Sequence, residues 1–179
     1  MIFLIIVQFS GQLDFYTVQL DNNNFERITS YTHNGNTLSI ASNRISFLYD
    51  FRGPSMSIDT ACSSSLVAVH QACMSLKNNE CEMAIAGGVS LILSPSPYVE
   101  FSKVGVLSKD GKCKPFDESA NGFVRGEGAG LVVIKPLQKA IEGGDNIYGI
   151  IRGSSVNVDG AAEDSLITPS SITQSLTQP

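Results

Sequence analysis

One cysteine in this sequence stands where a thiol can do chemistry. Cys62 lies in the run Ser57-Ile58-Asp59-Thr60-Ala61-Cys62-Ser63-Ser64-Ser65, directly before a stretch with helical periodicity. A strand-to-helix turn exposes a thiol, and the unpaired N–H groups and macrodipole of a helix N-terminus favour its thiolate. The thiolate is the nucleophile, so this placement is what covalent catalysis by cysteine needs. Ala61 and Ser63 are small enough to let an acyl chain approach, and a backbone N–H of the turn can act as one oxyanion donor. Position alone leaves a second reading open, since cysteine is also a common small buried residue. Cys73, Cys81 and Cys113 keep that plainer reading, because none has an activating context.

The elements around Cys62 must hold it in place. Met1-Ile2-Phe3-Leu4-Ile5-Ile6-Val7 reads as a buried β-strand. The asparagine-rich stretch from Gly11 to Asn24 reads as surface. Leu38, Ala41, Ile45 and Leu48 recur at helical spacing and predict a helix over 37–49, ended by Gly53-Pro54. Ser55 to Ile58 is then a short extended run that delivers the chain to Cys62. From Cys62 to Leu76 the pattern is helical, with Leu66, Val69, Cys73 and Leu76 on one face and alanines around them. Met83 to Ala86 reads as a strand closed by Gly87-Gly88. Strand, turn, helix and strand in this order indicate an α/β layered fold.

Further on, Pro95, Pro97, Gly105, Gly111 and Pro115 break up residues 89–121, leaving a helical turn or two over Tyr98 to Val104. Leu131 to Ile134 and Tyr148 to Val158 read as strands, joined by a short helix through Lys139 to Glu142 and the turn Gly143-Gly144. Gly126-Glu127-Gly128-Ala129-Gly130 reads as a tight turn between strands. Its spacing is wrong for a nucleotide loop, and it lacks the acidic partner. Glu127 reads as a satisfied internal carboxylate. The residues from Thr168 to Pro179 are polar and unpatterned and read as a tail or as an element cut off from its partners.

Composition bounds the function. The 179 residues suit one compact domain, and 42% hydrophobic with 16% charged residues describes a folded protein. Net charge is −5 with no cluster of Lys and Arg, so a nucleic-acid face has little support. The apolar start is too short to span a bilayer, which needs about 20 residues, and it lacks a signal peptide's basic region and cleavage site. The four cysteines form no CxxC and no zinc spacing. Cys62 and Cys73 would be about 16 Å apart along one helix, too far for a disulfide. Isolated thiols of this kind fit a reducing, cytoplasmic setting. No Gly-x-Ser-x-Gly elbow marks a serine hydrolase.

The run from Gly53 to Ser65, G-P-S-x-S-x-D-T-A-C-S-S-S, resembles the active-site signature of the β-ketoacyl synthase (ketosynthase) domain of type I polyketide synthases. Asn43-Arg44-Ile45-Ser46 and Ala86-Gly87-Gly88-Val89 are similar to the family's flanking segments. So are Cys113-Lys114-Pro115-Phe116-Asp117, the segment Gly122 to Gly128, and Asn157-Val158-Asp159-Gly160. Together these cover about residues 30–168, and 169–179 is a tail or a truncated element. The resemblance implies a thiolase-like α/β fold, of which residues 1–179 are mostly the N-terminal half of a ketosynthase domain, truncated at both ends. It implies an acyltransferase of the 3-oxoacyl-[acyl-carrier-protein] synthase type, in polyketide or fatty-acid biosynthesis. Cys62 would be the catalytic residue that accepts an acyl group before a decarboxylative Claisen condensation. No bound cofactor or metal is implied. The partners are an acyl carrier protein, whose phosphopantetheine brings acyl and malonyl thioesters, and a second copy in a homodimer.

The same resemblance implies two histidines, with a lysine close to one of them, in the second half of the domain. This chain has only His33 and His70. His33 lies in the turn-like stretch Tyr31-Thr32-His33-Asn34-Gly35, and His70 lies eight residues beyond Cys62 in the helix. Neither matches a family catalytic position. Two readings therefore stand: a segment that accepts acyl groups and condenses only with further chain, and a non-catalytic remnant that is inert or keeps an interaction surface. The sequence favours the second for this chain as it stands, while the first describes its ancestry. A cysteine hydrolase of another fold lacks a placed histidine.

If one half of such a fold stands alone, an apolar face must stay uncovered. The isolated 179-residue chain is expected to be marginally stable, to aggregate and to bind a dye such as anilinonaphthalene sulfonate. Cooperative monomeric unfolding with ordinary stability and no dye binding would contradict this.

Overall fold

The computed structural model describes residues 2–9 and 28–160. The polar stretch from Gly11 to Asn24 and the tail from Thr168 lie outside the described residues. Strand β1 (Ile2–Phe9) is the predicted apolar strand. Helix α1 (Ser30–Asn36) replaces the surface turn expected there. Its cap explains the difference: the Thr29 hydroxyl accepts from the Tyr31 N–H, and Thr32 Oγ1 accepts from the Thr29 N–H at 2.9 Å.

Helix α2 (Leu38–Leu48) and strand β2 (Ser55–Ser57) follow as their patterns predict. Hydroxyl groups join them. Ser57 Oγ donates to the Leu38 carbonyl at 2.6 Å and lies 3.3 Å from Ser42 Oγ, and Ser46 Oγ donates to Ser55 Oγ at 2.9 Å. Ser42 is fully buried. A buried hydroxyl left without a partner costs about 1–3 kcal/mol, so helix and strand hold each other in place.

A 3₁₀ turn (Ala61–Ser63) leads into helix α3 (Ser64–Lys77). Strand β3 (Met83–Ser90), helix α4 (Ser96–Val104), strand β4 (Gly128–Ile134) and helix α5 (Leu137–Glu142) complete the described elements. The sheet order is β2-β1-β3-β4. β1 is parallel to both β2 and β3, and β4 runs antiparallel to β3.

Small residues make the core. Ala68 and Ala72 of α3 meet Ala84 and Ala86 of β3, all four at 0% exposure, with Met56, Ile58, Val69, Leu76 and Ile134 packed around them. The buried stripe of α3 is Ser64, Ala68, Ala72 and Ser75, joined by Cys73. The predicted face holds for Val69, Cys73 and Leu76, whereas Leu66 is 74% exposed. Close approach of helix to sheet selects small side chains at the contact, which periodicity of large apolar residues does not reveal.

Three expectations are corrected. Gly87-Gly88 does not close β3, which continues to Ser90. A side chain on Gly87 would collide with the Gly130 carbonyl and lie 2.8 Å from the Leu131 Cα, so glycine serves a close crossing of strands. The run Gly126 to Gly130 is not a turn between strands, because its last three residues begin β4 and pair with Ser90, Val89 and Gly88. Tyr148 to Val158 forms no strand. A strand needs a ladder, and this stretch joins none among the described residues despite its β-prone sequence. Instead, residues 145–151 and β4 border a cavity of about 880 Å³ that α3 also lines.

β4 is consequently open. Leu131, Val132 and Val133 are 59%, 48% and 65% exposed. No described helix is long and apolar enough to cross a membrane.

Because Ala68 has no space around it, Ala68→Leu should lift α3 from β3 and destabilise the fold by about 1–3 kcal/mol. A lowered urea midpoint at unchanged slope would show this; an unchanged midpoint would place the core elsewhere.

Candidate active site

The sheet register places Cys62 at the end of the parallel strands. Ser57 and Gly87 both pair with Ile6, and Gly87 pairs with Leu131, so these residues form one row across the sheet. β2 stops at that row, and the chain bends through Asp59 and Thr60 into the 3₁₀ turn. The space in front of this bend is lined by Gly88 to Ser90 of β3 and Gly128 to Gly130 of β4. It is a cleft of about 480 Å³, and Ala61, Cys62, Ser64, Ser65, Leu66 and Val69 form its other wall.

The bend is tightly made. Ala61 has φ 56°, a left-handed conformation that costs a residue with a Cβ roughly 1–2 kcal/mol. Side-chain hydrogen bonds hold it there. Asp59 Oδ1 accepts from the Ala61 N–H at 3.0 Å. Buried Ser64 accepts from the Thr60 N–H at 2.8 Å and donates to the Ala61 carbonyl at 2.6 Å. Ser63 Oγ donates to the Thr60 carbonyl at 2.8 Å. The result is a strained turn that leaves Cys62 exposed immediately before the amino end of α3.

The other thiols differ. All four cysteines are free. Burial pushes the thiols of Cys73 and Cys81 above their ordinary values, with Glu80 adding to the effect at Cys81. Cys113 is exposed and accepts from the Val124 N–H at 3.1 Å, away from the residues that line the Cys62 cleft.

His70 is not among the residues that line that cleft. His70 Nδ1 lies 2.9 Å from Ser154 Oγ and ties α3 to the segment after α5. His33 belongs to α1. No group of three His, Cys, Asp or Glu side chains able to hold a metal occurs among the described residues. Glu127 has the expected partner, its Oε1 accepting from the Ile92 N–H at 2.6 Å, but it is exposed rather than internal, because that partner lies on the surface loop after β3.

Asp59, Ser64 and Glu127 are the site's supporting residues that the sequence did not single out for these roles. An aspartate two residues before a turn is a recognisable signal for the first. The long-range partner of Glu127 leaves no local signal.

Comparison with known proteins agrees with this geometry. The family described as beta-ketoacyl synthase, N-terminal domain, matches residues 8–140. The highly reducing polyketide synthase dmxL2 of a Cryptosporiopsis species is 52% identical over 144 residues, 80% of this chain and 6% of that protein. The polyketide synthase ThaG of Burkholderia thailandensis is 51% identical over 133 residues, 74% of this chain and 2% of its own length. The chain thus spans under a tenth of the length of these curated relatives. Among solved structures, the ketosynthase from module 6 of the bacillaene synthase of Bacillus subtilis superposes with a TM-score of 0.82. It is 42% identical and is matched over 97% of this chain and 29% of its own. The mixed sheet and its helices are accordingly part of a thiolase-like ketosynthase fold. The chain belongs to the β-ketoacyl synthase family and corresponds to the N-terminal domain portion of a polyketide synthase ketosynthase.

Proposed function

We propose that residues 1–179 act as the acyl-accepting part of a ketosynthase, with Cys62 as the nucleophile. The observation that carries this reading is the exposed thiol on a strained turn, opening onto a cleft floored by glycines. The Cys62 sulfur attacks the carbonyl of an acyl thioester carried on the phosphopantetheine of an acyl carrier protein. The carrier thiolate leaves and takes up the proton lost by Cys62, and the acyl group remains on sulfur. The Cys62 N–H belongs to the first turn, with no carbonyl four residues back to bind, and is the proposed oxyanion donor. The amino end of α3 supplies a favourable dipole.

The second stage adds a carbon–carbon bond. A malonyl thioester loses carbon dioxide, and its carbanion attacks the acyl-Cys62 carbonyl and expels the Cys62 thiolate. Charge develops on the malonyl thioester oxygen, and stabilising it is the work assigned to the family's two histidines. His33 and His70 are the only histidines here, and His70 is engaged with Ser154. We therefore infer that these 179 residues do not condense alone and form one partial domain. The uncovered apolar strand β4 and the segment 148–158, which joins no described strand, favour completion by further ketosynthase chain over an inert remnant. A homodimer and a cytosolic setting belong to the same proposal.

Incubation with an acyl carrier thioester should yield one acyl mass on the peptide containing Cys62, and none in Cys62→Ala. No adduct in a folded sample would leave only the remnant reading. A condensed product from this chain alone would refute the inference about the histidines.

Ser64→Ala removes the hydroxyl that serves both Thr60 and Ala61, at a cost of about 1–3 kcal/mol in a buried position. Acylation of Cys62 should slow at least tenfold while the fold persists in circular dichroism. An unchanged rate would mean that the turn holds Cys62 without this hydroxyl.

A further inference from the structure

The mouth of the Cys62 cleft is built on glycine. Gly126, Gly128 and Gly130 would each carry a Cβ into open space, so none is glycine for want of room in this structure. Glycines here keep the cleft wall thin but leave the chain entering β4 free to move. Two hydrogen bonds restrain that entrance. Ser90 Oγ donates to the Gly126 carbonyl at 3.3 Å, and Glu127 Oε1 accepts from the Ile92 N–H at 2.6 Å. The second joins a carboxylate to a backbone N–H and is the stronger kind.

The position of this bond matters. Ser90 and Gly128 are the last paired residues of β3 and β4, and both line the cleft with Cys62. Glu127 is the next residue outward on one strand, and Ile92 is two residues outward on the other. Beyond the pair, Leu91 and Leu93 are 41% and 46% exposed on the loop that leads to α4. The carboxylate therefore pins the apolar loop that continues directly from Ser90, the last cleft-lining residue of β3.

We propose that Glu127 is a positioning residue that sets the width of the cleft mouth and so the size of the group that reaches Cys62. This rests on the reading of Cys62 as the acyl acceptor. Glu127 touches no reacting atom in the proposal; it acts by holding Ile92, and with it Leu91 and Leu93, at the rim. A Gln at 127 keeps an oxygen that can accept from Ile92. An Ala keeps nothing, and an Asp is one methylene too short.

The test compares alkylation of Cys62 by a small reagent, iodoacetamide, and a bulky one, a benzophenone maleimide, in the full 179-residue chain. Peptide mass spectrometry separates Cys62 from Cys113. Glu127→Ala should raise the bulky-to-small rate ratio at Cys62 at least fivefold, while Glu127→Gln stays within twofold of the wild-type ratio. An unchanged ratio in Glu127→Ala, or both rates rising equally, would overturn the proposal. If Glu127→Ala opens the fold and exposes Cys73 to reagent, Glu127→Asp decides: a wild-type ratio there also overturns it. Because alkylation needs no acyl transfer, failure of this test is distinct from a failure of Cys62 to accept acyl groups.

Discussion

The contact of four alanines between α3 and β3 is the constraint on which the site depends. Ala68 and Ala72 press on Ala84 and Ala86 with no exposed surface left on any of them. Their size lets the helix sit close to the sheet, and dispersion at short range rewards that closeness. Once α3 is seated, its amino end is fixed over the ends of β2 and β3. The turn carrying Cys62 has no freedom to stand elsewhere.

The turn completes what the helix begins. β2 ends level with Gly87, so only Ile58, Asp59 and Thr60 bridge the strand to the 3₁₀ turn. So short a bridge needs a sharp bend, and the left-handed φ of Ala61 supplies it. Asp59 and Ser64 offset that strain with hydrogen bonds to the bend's own N–H and carbonyl groups. On the opposite side, Gly128 and Gly130 line the cleft with open space where a side chain would stand, which leaves room before the thiol. Exposed thiol and empty space are thus products of the same strand register.

Much of this was legible in the sequence, because the informative signals are local. Turn residues at Gly53-Pro54, the helical period after Cys62 and the apolar run of β1 each point to the element that forms. The motif from Gly53 to Ser65 carried the family and the candidate nucleophile together. What stayed hidden depends on distant partners. The glycine pair 87–88 resembles a strand end, and only its crossing with Gly130 explains a strand that continues. The buried stripe of α3 runs through serine and alanine, to which a search for large apolar residues is blind. Tyr148 to Val158 has the composition of a strand but joins no described ladder, and composition cannot form a ladder alone.

Under the proposed function, one of two accessible thiols accepts the acyl group. Cys62 and Cys113 are both exposed, so exposure does not distinguish them. Only Cys62 lies at a helix amino end and opens onto the glycine-floored cleft. The direct measurement is a protection experiment on the intact chain: pretreatment with an acyl carrier thioester, then iodoacetamide, read out peptide by peptide. Alkylation of Cys62 should fall in proportion to the acyl group loaded, with Cys113 unaffected. Equal protection of both thiols, or protection of Cys113 alone, would rule out Cys62 as the selective acceptor.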